Sequence, residues 1–366
     1  MGTSFLLPNQ QENDIIYVEM TIVKNRKTVL TLVLMTVITI AASAQQYDSE
    51  SDFRTEPING GKAVAITKYV GPKQTVRIPP TIQKLPVASI GSWAFYESTS
   101  LDSIIIPNSV TSIDEGAFAG CSRLASITIP DSVTSIGEWA FADTMLTSIT
   151  IPKSVTSIVN GAFLGCTSLT EINVAADNSR YSSQNGVLFN KSKTVLIHFP
   201  GGKTGTYTIP NSVTSIGNSA FRYSGLKSIT IPSNVSSIGE HAFAESSITS
   251  ITLPNSINTI RNSTFDGCND LTSVTMPNSI TSIGEHAFQA CGSLTSISLP
   301  ITLTSIEAFA FSECANLTSV TFQGPIPSNK IHEGVFDGLG DLRERYISGG
   351  PGMYTRPLRS NKWTRQ

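Results

Sequence analysis

Five cysteines could supply thiol chemistry, and all of them occupy one position of a recurring pattern. Each lies three residues after a phenylalanine, at Cys121, Cys166, Cys268, Cys291 and Cys314. In one interpretation, each thiol is a small buried hydrophobe in a repeated slot. In the other, two of the last three cysteines form a disulfide, because stacked strands about 4.8 Å apart satisfy its Cα spacing. Side chains stacked in one column point the same way and the number is odd, so we expect buried free thiols.

Four histidines and a series of glutamates could bind a metal or transfer protons, but their spacing disfavours both roles. His241 and His286 share a position in the pattern and are 45 residues apart, which separates them by two strand spacings or about 10 Å. One zinc ion with bonds of about 2 Å cannot join them. The glutamates recur where the chain is expected to turn outward, at Glu115, Glu138, Glu240 and Glu285. We therefore expect surface roles, no metal and no cofactor.

The sequence also lacks catalytic motifs in the structural context that they need. No Cys-His pair and no nucleophile elbow can be recognised in the sequence. The segment 201–203 lacks the residue spacing of a P-loop. The sequence therefore predicts a protein that is not an enzyme.

The elements that position these residues are copies of one short unit. An Ala-Phe or similar pair recurs at Phe95, Phe118, Phe141, Phe163, Phe221, Phe243, Phe265, Phe288 and Phe311. The steps between these residues are 23, 23, 22, 58, 22, 22, 23 and 23. A unit of this size cannot bury its apolar side alone, so copies must stack into a continuous core. The chain is predicted to be a repeat solenoid.

One unit shows how a coil is built. Ile149 and Ile151 alternate with Thr150, which is the period of a strand with one buried face. Pro152 ends this strand because it has no N–H to donate. A second apolar pair marks the return side of the coil. The Ala-Phe segment is predicted to be a short helical turn that places its Phe at the centre.

These columns resemble the BspA-like leucine-rich repeat family, also called the Treponema pallidum type. The resemblance rests on L-x-x-I-x-I-P at 146–152, V-x-x-I at 155–158 and A-F-x-x-C at 162–166, repeated over about residues 75–322. It implies a β-rich leucine-rich repeat solenoid with short parallel strands. It also implies adhesion at a bacterial cell surface to host, matrix or neighbouring-cell proteins.

The 58-residue step interrupts the array. Two apolar runs, 186–189 and 194–197, flank a polar turn and predict a β-hairpin, inserted at about 175–205, that projects from the solenoid. The hairpin is either a recognition element or a modified repeat that tolerates insertion.

The terminal coils need caps. We assign residues 45–74 to an N-terminal cap region, in which 64–69 forms a capping strand, and residues 323–366 to a C-terminal cap and basic tail. Leu339, Leu342, Tyr346 and Ile347 have roughly helical spacing and predict a cap helix. The tail is interpreted as flexible, or as a docking segment for an acidic envelope component.

The N-terminal region has the pattern of a secretory signal peptide. Lys24, Arg26 and Lys27 precede an apolar run at 29–40, and cleavage is predicted after Ala44. Met20 is the expected start, and residues 1–44 form an N-terminal extension and signal peptide. The apolar run is too short to span a bilayer of about 30 Å, so no transmembrane segment is expected in the mature chain. The protein is predicted to be secreted or at the cell surface, with the periplasm as the alternative.

Composition narrows the class of partner. Charged residues make up 14% of the 366 residues and the net charge is −2, against about 25% charged residues in typical soluble domains. Nucleic acid is excluded as a partner, because no basic face is available to neutralise phosphates.

The exposed face of the first strand is the predicted binding surface. Short hydroxyl side chains recur there and can donate and accept hydrogen bonds along an extended partner. The candidate residues are Thr147, Thr150, Lys227, Thr230, Thr249, Thr252, Thr272, Thr275 and Thr295. The alternative is that these residues only keep an exposed strand soluble. An ice-binding or carbohydrate-binding lattice is disfavoured because Lys227 and Glu171 interrupt the ladder.

The sequence thus predicts an exported, non-enzymatic protein that binds extracellular or cell-surface proteins. The alternative is a structural or assembly component of the bacterial cell envelope. Digestion by protease added to intact cells favours adhesion, whereas protection favours the envelope role.

Overall fold

The computed structural model describes residues 5–7, 16–18 and 47–366. The chain divides into two compact units, Met1–Tyr47 and Asp48–Gln366. In the first unit, strands β1 (Phe5–Leu7) and β2 (Ile16–Val18) pair in antiparallel fashion. The predicted signal peptide, with Met20 and the cleavage site at Ala44, lies outside the described residues.

The second unit is a solenoid in which each strand pairs with its equivalent in a neighbouring coil. The first strands of the coils are β5 (Thr75–Arg77), β8 (Ser103–Ile105), β10 (Ser126–Ile127), β12 (Ser148–Ile151), β14 (Glu171–Val174), β18 (Gly205–Thr208), β20 (Leu226–Thr230), β22 (Ser250–Thr252), β24 (Ser273–Thr275), β26 (Ser296–Leu299) and β28 (Ser319–Phe322). The return strands are β7 (Leu85–Ile90), β9 (Ser112–Ile113), β11 (Ser135–Ile136), β13 (Ser157–Ile158), β17 (Val195–His198), β19 (Ser215–Ile216), β21 (Ser237–Ile238), β23 (Thr259–Ile260), β25 (Ser282–Ile283) and β27 (Ser305–Ile306).

Parallel pairing holds equal positions of neighbouring coils opposite each other. Ser250 faces Ser273 in the first series, and Ser282 faces Ser305 in the return series. Within β12, Ile149 and Ile151 are buried whereas Ser148 and Thr150 are exposed. The predicted leucine-rich repeat solenoid of short parallel strands is confirmed.

A column of aromatic rings forms the centre of the solenoid. Consecutive rings have centroids 5.0–5.8 Å apart from Tyr69 through Phe95 to Phe163, and again from Phe199 through Phe221 to Phe336. Phe199 fills the place left empty by the 58-residue step, and its backbone N–H donates to Ala220 as the N–H of Phe221 donates to Ala242. The column therefore resumes at Phe199 after the break in the sequence pattern, whereas the ring of Phe163 lies next to that of His198.

The Ala-Phe segments form turns with left-handed residues on both sides of the phenylalanine. Around Phe141, Trp139 has φ 53° and Asp143 has φ 54°. Around Phe118, glycines take these two positions, with φ 57° at Gly116 and 72° at Gly120. Left-handed residues cannot continue a right-handed helix, so each predicted helical turn stops after a few residues.

The inserted β-hairpin is present, but it does not project from the solenoid. Strands β15 (Tyr181–Gln184), β16 (Val187–Asn190) and β17 pair in antiparallel order, and β17 then pairs in parallel with β19. Val187, Leu188 and Phe189 are fully buried. The predicted projection is wrong because these apolar side chains complete the core between the two halves of the array.

At the N-terminal end, a hairpin covers the first coil. Strand β3 (Phe53–Ile58) pairs in antiparallel fashion with β4 (Ala63–Tyr69), and β4 pairs in parallel with β7. The predicted capping strand at 64–69 is therefore confirmed. Strand β6 (Thr81–Ile82) pairs with β7, and short 3₁₀ helices lie at Glu50–Asp52 and Asn59–Gly61.

At the C-terminal end, the cap helix α1 (Leu342–Gly349) buries Leu342 and Tyr346. A third 3₁₀ helix spans Ser328–Lys330. Strand β29 (Gly352–Thr355) pairs in antiparallel fashion with β28, and β30 (Thr364–Arg365) pairs with β29. Trp363 and Tyr354 are each 1% exposed. The interpretation of this segment as a flexible tail is wrong, because its aromatic residues complete the cap.

Candidate partner-binding surface

The structure exposes every candidate residue of the strand face: Thr147, Thr150, Lys227, Thr230, Thr249, Thr252, Thr272, Thr275 and Thr295. Parallel register places Thr252 opposite Thr275, and Thr230 opposite Thr208. The residues that alternate with them along the strands, such as Ile229 and Ile251, point into the core. The candidate residues therefore follow one face over successive coils.

Two kinds of hydroxyl lie on this face. At the second position of the strand segment, the Thr249 hydroxyl donates to the Lys227 carbonyl at 3.2 Å, and the Thr272 hydroxyl donates to the Thr249 carbonyl at 2.9 Å. The hydroxyls of Thr147 and Thr295 hold the same position but make no side-chain hydrogen bond within the described ranges. At the fifth position, Thr150, Thr230, Thr252 and Thr275 make no side-chain hydrogen bond within the described ranges. The first kind helps to fix neighbouring coils together, and the second kind keeps its full capacity for an external partner.

Lys227 belongs to an ion pair across two coils. Its Nζ lies 2.7 Å from the carboxylate of Asp270, and both side chains are about half exposed. Exposed pairs of this type contribute little to stability. Lys227 therefore adds a paired charge to the hydroxyl face.

The cysteine column is buried, and its thiols are free. Each Sγ donates to the carbonyl of a phenylalanine in the preceding coil, for example from Cys268 to Phe243 at 3.0 Å and from Cys314 to Phe288 at 3.1 Å. Burial raises the pKa of Cys121 and of Cys268 to about 12. Because the thiolate is the reactive form, these thiols act as small donors that satisfy carbonyl groups in the core.

His198 is buried, and it lies in the inserted segment that interrupts the repeats. Its ring lies 5.7 Å from that of Phe163, and burial lowers the pKa of His198 to about 4. The sequence did not distinguish His198 from the other histidines, because only the three-dimensional hairpin places it in the core. Among residues 5–7, 16–18 and 47–366, no group of three or more His, Cys, Asp or Glu side chains could hold a metal ion.

His198 should make stability depend on pH. Between its ordinary pKa of about 6.5 in the unfolded chain and about 4 in the folded chain, the unfolded state binds a proton that the folded state does not. Stability is therefore full above pH 6.5 and falls as the pH drops towards 4, by up to about 3 kcal/mol. Denaturant unfolding of His198→Gln across this range should show a smaller loss than the unmodified chain. His332→Gln, at an exposed site, is the control, and equal pH profiles for all three proteins would contradict the assignment.

A second exposed feature lies on the turns, at the position two residues before each phenylalanine. In successive coils this position holds Trp93, Gly116, Trp139 and Gly161, and beyond the hairpin Ser219, His241, Ser263, His286 and Phe309. Trp93 and Trp139 are 39% and 37% exposed. Sequence reasoning missed this column, although aligning the repeats on Phe would have revealed the two tryptophans at one position.

Stacked coils, paired parallel strands and a central phenylalanine column define a leucine-rich repeat solenoid. The family model described as BspA type leucine rich repeat region matches residues 88–204, 197–318 and 258–350. The chain belongs to this family.

Solved structures give the same picture of the fold. A leucine-rich repeat protein from Eubacterium ventriosum is 26% identical, and the match covers 80% of this chain and 94% of that protein with a TM-score of 0.60. A leucine rich cell surface protein from Faecalibacterium prausnitzii is 26% identical over 77% of this chain and 96% of its own, with a TM-score of 0.53. The pneumococcal vaccine antigen PcpA shares the fold at 23% identity, 73% and 84% coverage and a TM-score of 0.54. A search of curated proteins found no match.

Within residues 5–7, 16–18 and 47–366, no helix is both long and apolar enough to cross a membrane.

Proposed function

We propose that this chain is an exported, non-enzymatic leucine-rich repeat protein that binds other proteins at a bacterial cell surface. Its partners are host, matrix or neighbouring-cell proteins, and the contact is adhesive. The observation that carries the proposal is the row of free hydroxyl groups on the first strands. Repeat proteins commonly present such continuous faces to extended partners.

The geometry of the strand face supports a protein partner. Apart from Lys227, the exposed side chains of β20, β22 and β24 are short and polar, and the parallel register repeats them from coil to coil. Each fifth-position hydroxyl can donate one hydrogen bond and accept others. Backbone and side-chain amides of a partner offer the complementary groups over several coils.

Two further observations support the surface and non-enzymatic parts of the proposal. A relative with 26% identity is described as a cell surface protein, and the N-terminal sequence has the order of charges and apolar residues of a signal peptide. The thiols, which are the strongest nucleophiles of the chain, lie in the core, and burial raises the pKa of Cys121 and of Cys268. A binding role uses the exposed face and needs none of these buried groups.

Introducing negative charge on the strand face should abolish partner binding without unfolding the protein. The test is a triple variant, Thr230→Asp, Thr252→Asp and Thr275→Asp, on three neighbouring coils. Partners recovered by the unmodified protein from an extracellular protein extract should bind this variant at least tenfold more weakly, which corresponds to about 1.4 kcal/mol. The measurement is a pull-down followed by titration of the recovered partner, with the melting temperature recorded for each variant.

A control variant adds the same three charges on the return side, at Thr214→Asp, Thr281→Asp and Thr304→Asp, which are also exposed. Their hydroxyls donate to carbonyls of the preceding coil, so binding is compared at a temperature below the melting transition of each variant. It should bind as the unmodified chain does. Equal binding by both triple variants at unchanged stability would refute the strand-face assignment. Recovery of no extracellular protein beside a positive-control adhesin would count against adhesion itself.

A further inference from the structure

Three exposed aromatic side chains meet on the turns of neighbouring coils, and we name them the aromatic turn patch: Trp93, Tyr96 and Trp139. Their exposed fractions are 39%, 52% and 37%. The ring of Trp93 lies 5.3 Å from that of Tyr96 at a nearly perpendicular angle, and 6.1 Å from that of Trp139. The three rings form one continuous surface rather than isolated exposed residues.

The alternation of tryptophan with glycine makes this arrangement possible. Trp93 and Trp139 are two coils apart, and Gly116 holds the same position in the coil between them. A Cβ atom at Gly116 would lie 2.3 Å from the Trp93 ring, and one at Gly161 would lie 3.3 Å from the Trp139 ring. Each indole therefore lies on the glycine of the next coil, and a larger residue there would displace it.

The fold does not require tryptophan at this position. Ser219 and Ser263 occupy it in other coils with φ of 54° and 51°, nearly the same as 60° at Trp93 and 53° at Trp139. A non-glycine residue with positive φ is conformationally unfavourable whichever side chain it carries. Serine meets the structural demand, so the large apolar area of the two indoles serves something other than the turn.

The patch lies in a part of the chain where acidic residues outnumber basic ones. Residues 88–165 contain seven acidic and two basic residues, a net charge of −5, whereas the whole chain has −2. One of the two basic residues, Arg123, is paired with Asp102 at 2.7 Å. The segment therefore carries excess negative charge.

Four acidic residues neighbour the aromatic turn patch through the backbone, the sequence or the Tyr96 phenol. The backbone N–H of Trp93 donates to the carbonyl of Glu115, and Glu138 directly precedes Trp139. A hydrogen bond with Glu97, and then the charges of Glu97 and Asp143, raise the pKa of Tyr96. All four carboxylate residues are exposed. The patch therefore combines π-faces with negative charge.

We propose that the aromatic turn patch binds a cationic segment of a partner protein, rich in arginine or lysine. A guanidinium or ammonium group within about 6 Å of an indole is attracted to its π-face, and the neighbouring carboxylates supply complementary charge. Two indoles on alternate coils fit side chains spaced along an extended peptide. The site shares no residue with the strand face and does not depend on the function proposed above.

Titration of the full chain with a twelve-residue peptide of alternating arginine and glycine tests the proposal. Calorimetry should detect binding that weakens as the salt concentration rises, because the pairing charges are solvent-exposed. The matching glutamate-glycine peptide should not bind. A variant with Trp93→Ser and Trp139→Ser, which uses the residue found at this position in other coils, should bind the arginine peptide at least tenfold more weakly. Glu115→Gln with Glu138→Gln should weaken binding and reduce its salt dependence.

The controls separate this site from the rest of the molecule. Phe309→Ser removes an exposed aromatic residue at the same repeat position in the C-terminal half and should leave peptide binding unchanged. The strand-face triple variant should also bind the peptide normally, so failure of one proposal is distinguishable from failure of the other. Equal affinity of the double tryptophan variant for the arginine peptide, or binding of the glutamate peptide, would overturn the assignment to a cationic segment.

Discussion

Replacing Phe243 with alanine is expected to lower the free energy of unfolding by about 3–5 kcal/mol. The Phe243 side chain is fully buried, and its ring centroid lies 5.0 Å from that of Phe221 and 5.5 Å from that of Phe265. The backbones of the neighbouring coils are held apart by their own strand pairing, so the space left by the ring cannot close fully. Denaturant unfolding followed by far-UV circular dichroism measures the loss.

The matched control for Phe243→Ala is Phe309→Ala. Phe309 is 36% exposed, so its removal should cost less than about 1 kcal/mol. Since repeat arrays can unfold section by section, limited proteolysis should accompany the unfolding curve and locate the weakened coils. Similar losses for both variants would mean that the central column does not dominate stability.

The repeated columns of the fold could be predicted because each column reports the same physical demand many times. Every coil needs an apolar residue at the centre and alternating burial along its first strand, so Phe, Ile and Thr recur at fixed spacing. Phe199 escaped this reasoning because it is followed by Pro200 and preceded by His198 rather than Ala. The stacking of its ring against Phe221 at 5.1 Å is visible only once the hairpin is folded into the core.

The candidate binding surface could be predicted only in outline. Alternation along the strand identified the exposed hydroxyl residues, but it could not show that Thr249 and Thr272 donate to the preceding coil whereas Thr252 and Thr275 do not. That difference depends on the reach of each side chain to a neighbouring carbonyl. The aromatic turn patch was also hidden, because Trp93 and Trp139 are far apart in sequence and meet only through stacking.

The C-terminal segment resisted prediction because it has no regular periodicity. Its two strands are short, and its burial rests on single large residues such as Tyr354 and Trp363. Arg356 lies in the predicted basic tail, but it is only 6% exposed and donates to the carbonyls of Leu317, Ala315 and Ser360. A basic and aromatic segment can therefore form a folded cap when its buried guanidinium group donates to carbonyl acceptors.

Replacing Trp363 with alanine should detach this cap. The indole N–H donates to the Leu339 carbonyl, the backbone N–H donates to the Asp341 carboxylate at 2.8 Å, and the Arg356 guanidinium lies 5.2 Å from the ring. Loss of the buried indole is expected to cost about 3–5 kcal/mol, concentrated in the segment that follows α1. The measurements are the melting temperature and the rate of proteolysis after residue 350.

Detachment of the cap should also change how the protein associates. Strand β29 pairs with β28, the last first-series strand of the solenoid, so opening the cap leaves the hydrogen-bonding groups of β28 without their partner. Exposed strand edges pair with other chains, and light scattering should therefore show concentration-dependent oligomers of Trp363→Ala. Leu358→Ala, at a residue that is 57% exposed, is the matched control and should remain as stable and monodisperse as the unmodified chain. If Trp363→Ala resists protease and association as well as the unmodified chain does, the cap is held by contacts other than those of the indole.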